Sequence, residues 1–285
     1  MVQPDHAPAS APEPRSHPHL VRWLVGAVVL VVLAGAGTIT YLWSHSGARA
    51  VPTSVAIERF HQHGGTNSSD PGAGPAPGVY RYVGAGTEAI SVPPKSQSEG
   101  PGIPGTVTSR PGGCFEFKLD YSDFHWQRWD YCVRNGALVS PARAGYYNWN
   151  FVAFSVDDTS TFACHPEITT VSARIVAGTV SPVTCTGSNN HLSTGTVLMR
   201  GTSTQVRTAG IEVGHRKYGS VEVTERVTFS GGQTGSNVTE TWFSVESGLP
   251  LRGTWHTEVS TPSPVGISTL DARGHFVLAS VTPLQ

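Results

Sequence analysis

Charge is scarce in this chain. Asp, Glu, Lys and Arg together make up 14% of its 285 residues, and the formal net charge is −1. So even a balance gives no bulk attraction to nucleic acid, which is excluded as a partner on that ground. Lysine is nearly absent: Lys95, Lys118 and Lys217 are the only three. With abundant Ala, Gly, Val and Thr, that bias reads as GC-rich bacterial coding. Cysteine is absent before Cys114. Helical periodicity is missing too, because no run of ten or more residues after position 79 repeats its apolar side chains at 3.6. Chemistry-bearing motifs are likewise lacking. There is no GxSxG elbow, no phosphate-cradling Gly-Lys-Ser/Thr loop and no HExxH zinc helix. No catalytic residue, cofactor or metal site is therefore expected, and the domain is read as non-enzymatic. His61-Gln62-His63 has spacing for two imidazoles on one side of an extended chain, but no third ligand is identifiable beside it.

What is present begins with one uncharged run, Trp23 to Trp43. A helix of that length crosses a hydrocarbon core of about 30 Å. Trp23 at one end, and Tyr41 and Trp43 at the other, belong at the two headgroup levels. A cleaved signal peptide competes, since Ala48-Arg49-Ala50 has the small-x-small form of a cleavage site. The run is longer than a signal peptide's apolar region, which favours an uncleaved anchor. No Cys lies near it, which excludes lipoprotein processing. Orientation follows from Cys114, Cys132, Cys164 and Cys185, which all come after the span; an even count in an exported domain reads as two disulfides. The expected layout is a disordered cytoplasmic tail over 1–21, a transmembrane helix over 22–43, a flexible extracytoplasmic linker over 44–78 and an exported domain over 79–285. A short helix around Val55–His61 interrupts the linker. The chain is thus expected at the plasma membrane as a single-pass protein with its C-terminal domain outside.

After Val79 the pattern alternates with period two. Strands are predicted near 79–84, 87–92, 104–109, 114–121, 126–134, 146–155, 160–164, 180–186, 195–208, 210–218, 220–230, 237–245, 250–260 and 275–282, with 165–179 left as strand or short helix. Many short strands with Gly-rich turns predict an all-β fold, an antiparallel sandwich, barrel or wrapped sheet.

One hairpin can be derived. If Cys114 and Cys132 face each other, Glu116 opposes Asp130, Lys118 opposes Arg128, and Asp120 opposes Trp126. The like-charged Glu116–Asp130 and Lys118–Arg128 pairs are offset by diagonals, Glu116 to Arg128 and Lys118 to Asp130. The other face then pairs Phe115 with Tyr131 and Phe117 with Trp129. A one-residue slip destroys disulfide, polar face and aromatic face together. This register favours Cys114–Cys132, and hence Cys164–Cys185. Farther on, Val221, Val223, Val227 and Phe229 share a face with Glu225, and Leu251, Trp255 and Val259 share another. Such strands are half-buried against a core or an apolar ligand.

The run Thr241-Trp242-Phe243-Ser244-Val245-Glu246-Ser247-Gly248-Leu249-Pro250-Leu251-Arg252 reads as strand, turn, strand. It resembles a hairpin of the LolA/LppX-like lipoprotein-carrier group of bacterial envelope proteins. The resemblance implies a large curved antiparallel sheet, half-barrel or barrel-like, with an apolar concave face that carries a lipid. The expected function is therefore binding or carrying an apolar or lipid-like envelope ligand. Tyr121, Phe124, Trp126, Trp242 and Trp255 are the candidate binding residues, with Tyr121 and Phe124 exposed in the loop after the first hairpin strand. The runner-up is a structural or protein-interaction module of the cell envelope, displaying an exposed aromatic patch to a protein partner. An envelope hydrolase comes third and requires polar residues converging in a cleft.

Overall fold

The computed structural model describes residues 47–63, 74–151, 154–191, 195–263 and 266–284. Among these no helix is long and apolar enough to cross a membrane; the anchor and tail expected over 1–43 lie outside them. The described residues form one helix, α1 (Thr53–Gln62), and thirteen strands. The strands are β1 (Gly78–Ser91), β2 (Pro94–Glu99), β3 (Gly102–Arg110), β4 (Cys114–Asp120), β5 (His125–Arg134), β6 (Ala137–Asn150), β7 (Ser155–Val171), β8 (Thr179–Asn189), β9 (Val197–Val213), β10 (Arg216–Gly231), β11 (Thr234–Ser244), β12 (Pro250–Ser263) and β13 (Gly266–Leu278).

The sheet is antiparallel throughout and closes on itself, because β13 pairs with β1 from Tyr82↔Leu278 to Ile90↔Leu270. Twelve strands make the barrel and β2 is an extra stave. Closure removes the open edges that a half-barrel leaves. One place departs from a simple cylinder. The first part of β1 pairs with β3 and its later part with β2. Among the described residues β2 is laddered to β1 alone, and its second side faces the end of β6 through side chains. Gln97 Nε2 donates to the Asn148 carbonyl at 3.5 Å, and Lys95 Nζ donates to the Asn150 carbonyl. The wall here is a seam stitched by side chains.

Alternation puts one face of each strand in the lumen. At one end Tyr80, Tyr82, Phe115, Phe117, Leu119, Val221, Phe243, Leu251 and Leu278 interlock as the core. Each fully buried side chain of this kind stabilises by about 1.5–3 kcal/mol. Glycines opposite rings let the aromatic side chains lie flat on the wall: a Cβ at Gly274 would stand 2.3 Å from Trp255, and one at Gly253 would stand 2.6 Å from Phe276.

The derived hairpin is present residue for residue, from Cys114↔Cys132 to Asp120↔Trp126, and both expected disulfides form. Its charges partner differently in part. Arg128 does approach Glu116 at 3.9 Å, but Lys118 pairs along its own strand with Asp120 at 2.6 Å. Strand 137–145 escaped prediction because Pro141 and two register shifts break its alternation. The strand predicted at 275–282 instead runs over 266–278, since Gly266 to Gly274 have little apolar contrast to read. The segments predicted as 195–208 and 210–218 are one strand that ends at Val213, before the Gly214 turn. The strand predicted at 160–164 is longer, running over 155–171 and taking in Asp157 and Asp158. Helix α1 covers the expected 55–61. It docks on the barrel through Ala56 and Phe60 against Val79, so this part of the 44–78 stretch is a packed element.

Candidate functional site

An interior as wide as twelve strands exceeds what side chains fill; eight strands already make a filled barrel. The lumen holds a cavity of about 480 Å³, floored by core side chains that include Phe117, Tyr131 and Phe243. Its apolar wall includes Ile90, Trp149, Val156, Phe229, Val259 and Leu270, from β1, β6, β7, β10, β12 and β13. One ion pair bridges two non-adjacent staves of this wall. Arg143 on β6 donates from Nη1 and Nη2 to the two carboxylate oxygens of Glu225 on β10, at 2.5 and 3.0 Å. Burial disfavours the Arg143 charge, but Glu225 more than offsets it and holds the guanidinium protonated. Four residues of the lining, Arg128, Arg143, Asn237 and Trp255, each keep a buried polar atom without a hydrogen-bond partner: Nε, Nε, Oδ1 and Nε1. Leaving such an atom unpaired costs about 1–3 kcal/mol, which a guest with matching polar groups would recover.

Beside the cavity, at the seam, lies a second polar group. Glu88 on β1 and Glu99 on β2 both reach Nδ1 of His125, the first residue of β5. The Glu88 Oε1 to Nδ1 distance is 2.5 Å, and all three side chains are fully buried. Gln97 Nε2 donates to Glu88 Oε2 at 2.6 Å. Glycine at position 86 makes room for the arrangement, because a Cβ there would stand 2.2 Å from Glu99 Oε2. The imidazole is sandwiched between the rings of Tyr121 and Tyr147, with centroids at 4.7 and 4.2 Å. Burial alone would strip the proton from His125; the charges of Glu88 and Glu99 overcome it and raise the pKa to about 10. Burial pushes Glu99 up to about 8, whereas His125 outweighs burial at Glu88 and holds it down at about 2. Burial also drives the Tyr121 and Tyr147 hydroxyls well above the usual phenol range. In this arrangement no substrate atom can reach the cluster from solvent.

The candidate binding residues divide. Tyr121 and Trp255 line the cavity, their rings 4.5 Å apart. Tyr121 is 1% exposed, so its expected exposure in the loop is corrected: the hairpin end folds inward beneath Trp255. Phe124 is half-buried in that loop. Trp126 lies on the outer face, stacked on Tyr146 and beneath Lys118. Trp242 also faces outward, covered by Arg207 and Arg252 at 5.3 and 4.8 Å. The expected polar and charged site residues were none, yet Glu88, Glu99, His125, Arg143 and Glu225 all point inward. Glu225 was visible as the lone charge on a valine face. Nothing adjacent to His125 in sequence marks it as a site residue. Comparison of the chain with protein families, curated proteins and solved structures gives no match.

Proposed function

We propose that this domain binds and carries a small, largely apolar envelope molecule in the barrel lumen, and that it is a binding domain, not a catalytic one. The observation that carries this reading is the cavity of about 480 Å³. Its size falls in the range of about 300–1,000 Å³ typical of small-molecule sites, which also combine apolar walls with a few fixed polar groups. The guest is amphipathic: its apolar body lies along Trp149, Phe229 and Leu270, and a polar group meets Arg143, Glu225 or Asn237. The hairpin resemblance to lipoprotein carriers points the same way. The apolar run over 23–43 supports a plasma-membrane location with the barrel outside.

The interaction-module reading draws less support. Among the described residues Phe154 is the one aromatic among the strongly exposed large hydrophobic side chains, and it stands at the cavity lining. Native mass spectrometry of residues 47–285, recovered from source cells without added lipid or detergent, tests the proposal. A stoichiometric apolar adduct, identified after organic extraction, is expected. A uniformly apo mass, with no quenching of tryptophan fluorescence by an extract of the source envelope, would overturn it.

A further inference from the structure

The seam cluster brings more donors to one point than a single hydrogen bond uses. Nδ1 of an imidazole has one hydrogen or one lone pair, directed along one line in the ring plane. Two carboxylate oxygens, Glu88 Oε1 and Glu99 Oε1, converge on that single nitrogen from two different strands. One N–H serves one of them well. A cation placed among the three donors serves all of them at once. The three ligand atoms lie within 4.8 Å of one another, and a small separation of the two carboxylates from Nδ1 lets each bind a common ion at about 2.0–2.2 Å.

Independent of that convergence, the cluster carries buried polar atoms that nothing satisfies. Glu99 Oε2 and Gln97 Oε1 have no hydrogen-bond partner, on side chains of residues 5% and 6% exposed. The Gln97 amide is held against the cluster by its bond to Glu88 Oε2. That same bond orients Glu88 as outer-shell partners orient metal-ligating carboxylates.

Charge points the same way. With a metal bound, the two carboxylates carry −2 beside a neutral imidazole, which a divalent ion cancels; its binding displaces the protons that otherwise balance the cluster. The walls are dry, formed by Tyr121 and Tyr147. A mixed nitrogen and oxygen donor set of this kind suits a borderline divalent transition ion better than Ca²⁺ or Mg²⁺, which take all-oxygen shells.

We propose that Glu88, Glu99 and His125 form a binding site for one divalent transition-metal ion of the Zn²⁺ or Mn²⁺ type. Gln97 serves as a positioning residue and Gly86 supplies the space. The ion ties β1 and β2 to the start of β5, across the seam where the barrel wall has no backbone ladder. It is therefore a structural clip beside the cavity, and it stands whether or not the lumen carries a guest.

The test uses the full-length chain, stripped with a chelator and dialysed against Zn²⁺, Mn²⁺ or Ca²⁺ alone, with bound metal counted by mass spectrometry. One equivalent of Zn²⁺ or Mn²⁺ should bind in preference to Ca²⁺. At a hundredfold excess over Kd it should raise Tm by roughly 5–10 °C. Co²⁺ should give d–d absorption bands of a nitrogen–oxygen site. The E88Q/E99Q variant keeps side-chain volume and removes both charges, so it should fold by circular dichroism and lose that equivalent. Q97M should weaken binding about 10–100-fold, the usual cost of losing an outer-shell partner. Absence of a thermal shift in the wild-type chain overturns the proposal. So does binding that survives E88Q/E99Q, which assigns the metal to other histidines such as His61 and His63.

Discussion

The Arg143–Glu225 pair offers the sharpest test of how the lumen is built. Both side chains are largely buried, at 14% and 12% exposure, and they come from strands that are not neighbours in the sheet. Replacing Glu225 with Leu leaves the Arg143 guanidinium inside the barrel with no counter-charge. Removing one partner of a buried pair costs about 3–5 kcal/mol. This pair borders a cavity of about 480 Å³, where water can partly solvate the orphaned charge, so the lower end of that range applies. The compact unit runs from Gly47 to Gln285, a size at which 1 kcal/mol moves Tm by roughly 2–4 °C. E225L should therefore lower Tm by roughly 6–12 °C in calorimetry. The double variant R143M/E225L removes the charge along with its partner. It should recover most of the loss, because replacing a whole buried pair with apolar groups is often neutral or stabilising. A Tm drop of under about 2 °C for E225L would refute the reasoning, since Arg143 would then be solvated in an open, wet lumen. A double variant as unstable as the single one would refute it differently, by making packing and not charge the cause.

The two disulfides should part company under mild reduction of the folded protein. Cys114 is partly exposed, whereas Cys164 and Cys185 are at most 1% exposed, so peptide mapping should find Cys114–Cys132 reduced first. Removing the buried bridge as C164A/C185A should cost about 3 kcal/mol in urea unfolding, the loop-closure entropy of some twenty residues. Gly274→Val should force the Trp255 ring off the wall and cost about 2 kcal/mol or more, read as a shift in tryptophan emission together with lowered Tm. Gly219→Ala is its control, because an added Cβ there meets nothing within 4 Å. Phe60→Ala should release α1 without opening the barrel. Limited proteolysis should then cut within residues 53–62 while near-ultraviolet circular dichroism stays unchanged.

Much of the barrel wall is legible in the sequence because strand alternation is a local signal. The 114–132 hairpin could be registered to the residue, since a disulfide, a compensated polar face and an aromatic face all demanded one pairing. Closure was not legible in the same way. It depends on β1 meeting β13, a pairing of residues 82–90 with 270–278 that no turn connects. Alternation reads the same in a sandwich, a wrapped sheet and a closed barrel, so pattern alone left those three open. The strands that escaped, 94–99 and 137–145, are those whose apolar contrast is broken. β2 buries Lys95, Gln97 and Glu99 and turns its serines outward, inverting the usual polarity.

That inversion is also why the polar clusters of the lumen stayed hidden. Pattern reading assigns a charged residue to the solvent face, and in a narrow barrel the assignment holds because the interior has no room for charge. Here the interior is wide enough that inward positions need not be apolar, provided each charge meets another across the lumen. Glu225 meets Arg143 from a distant stave, and Glu88 and Glu99 meet His125 at the seam. None of these partners is near the other in sequence: 82 residues separate the first pair, and 26 separate Glu99 from His125. A strand that reads as polar on its would-be core face is, in a barrel of this girth, a pointer to a lumen partner. Glu225, alone among Val221, Val223, Val227 and Phe229, shows that the pointer can be read before the partner is known.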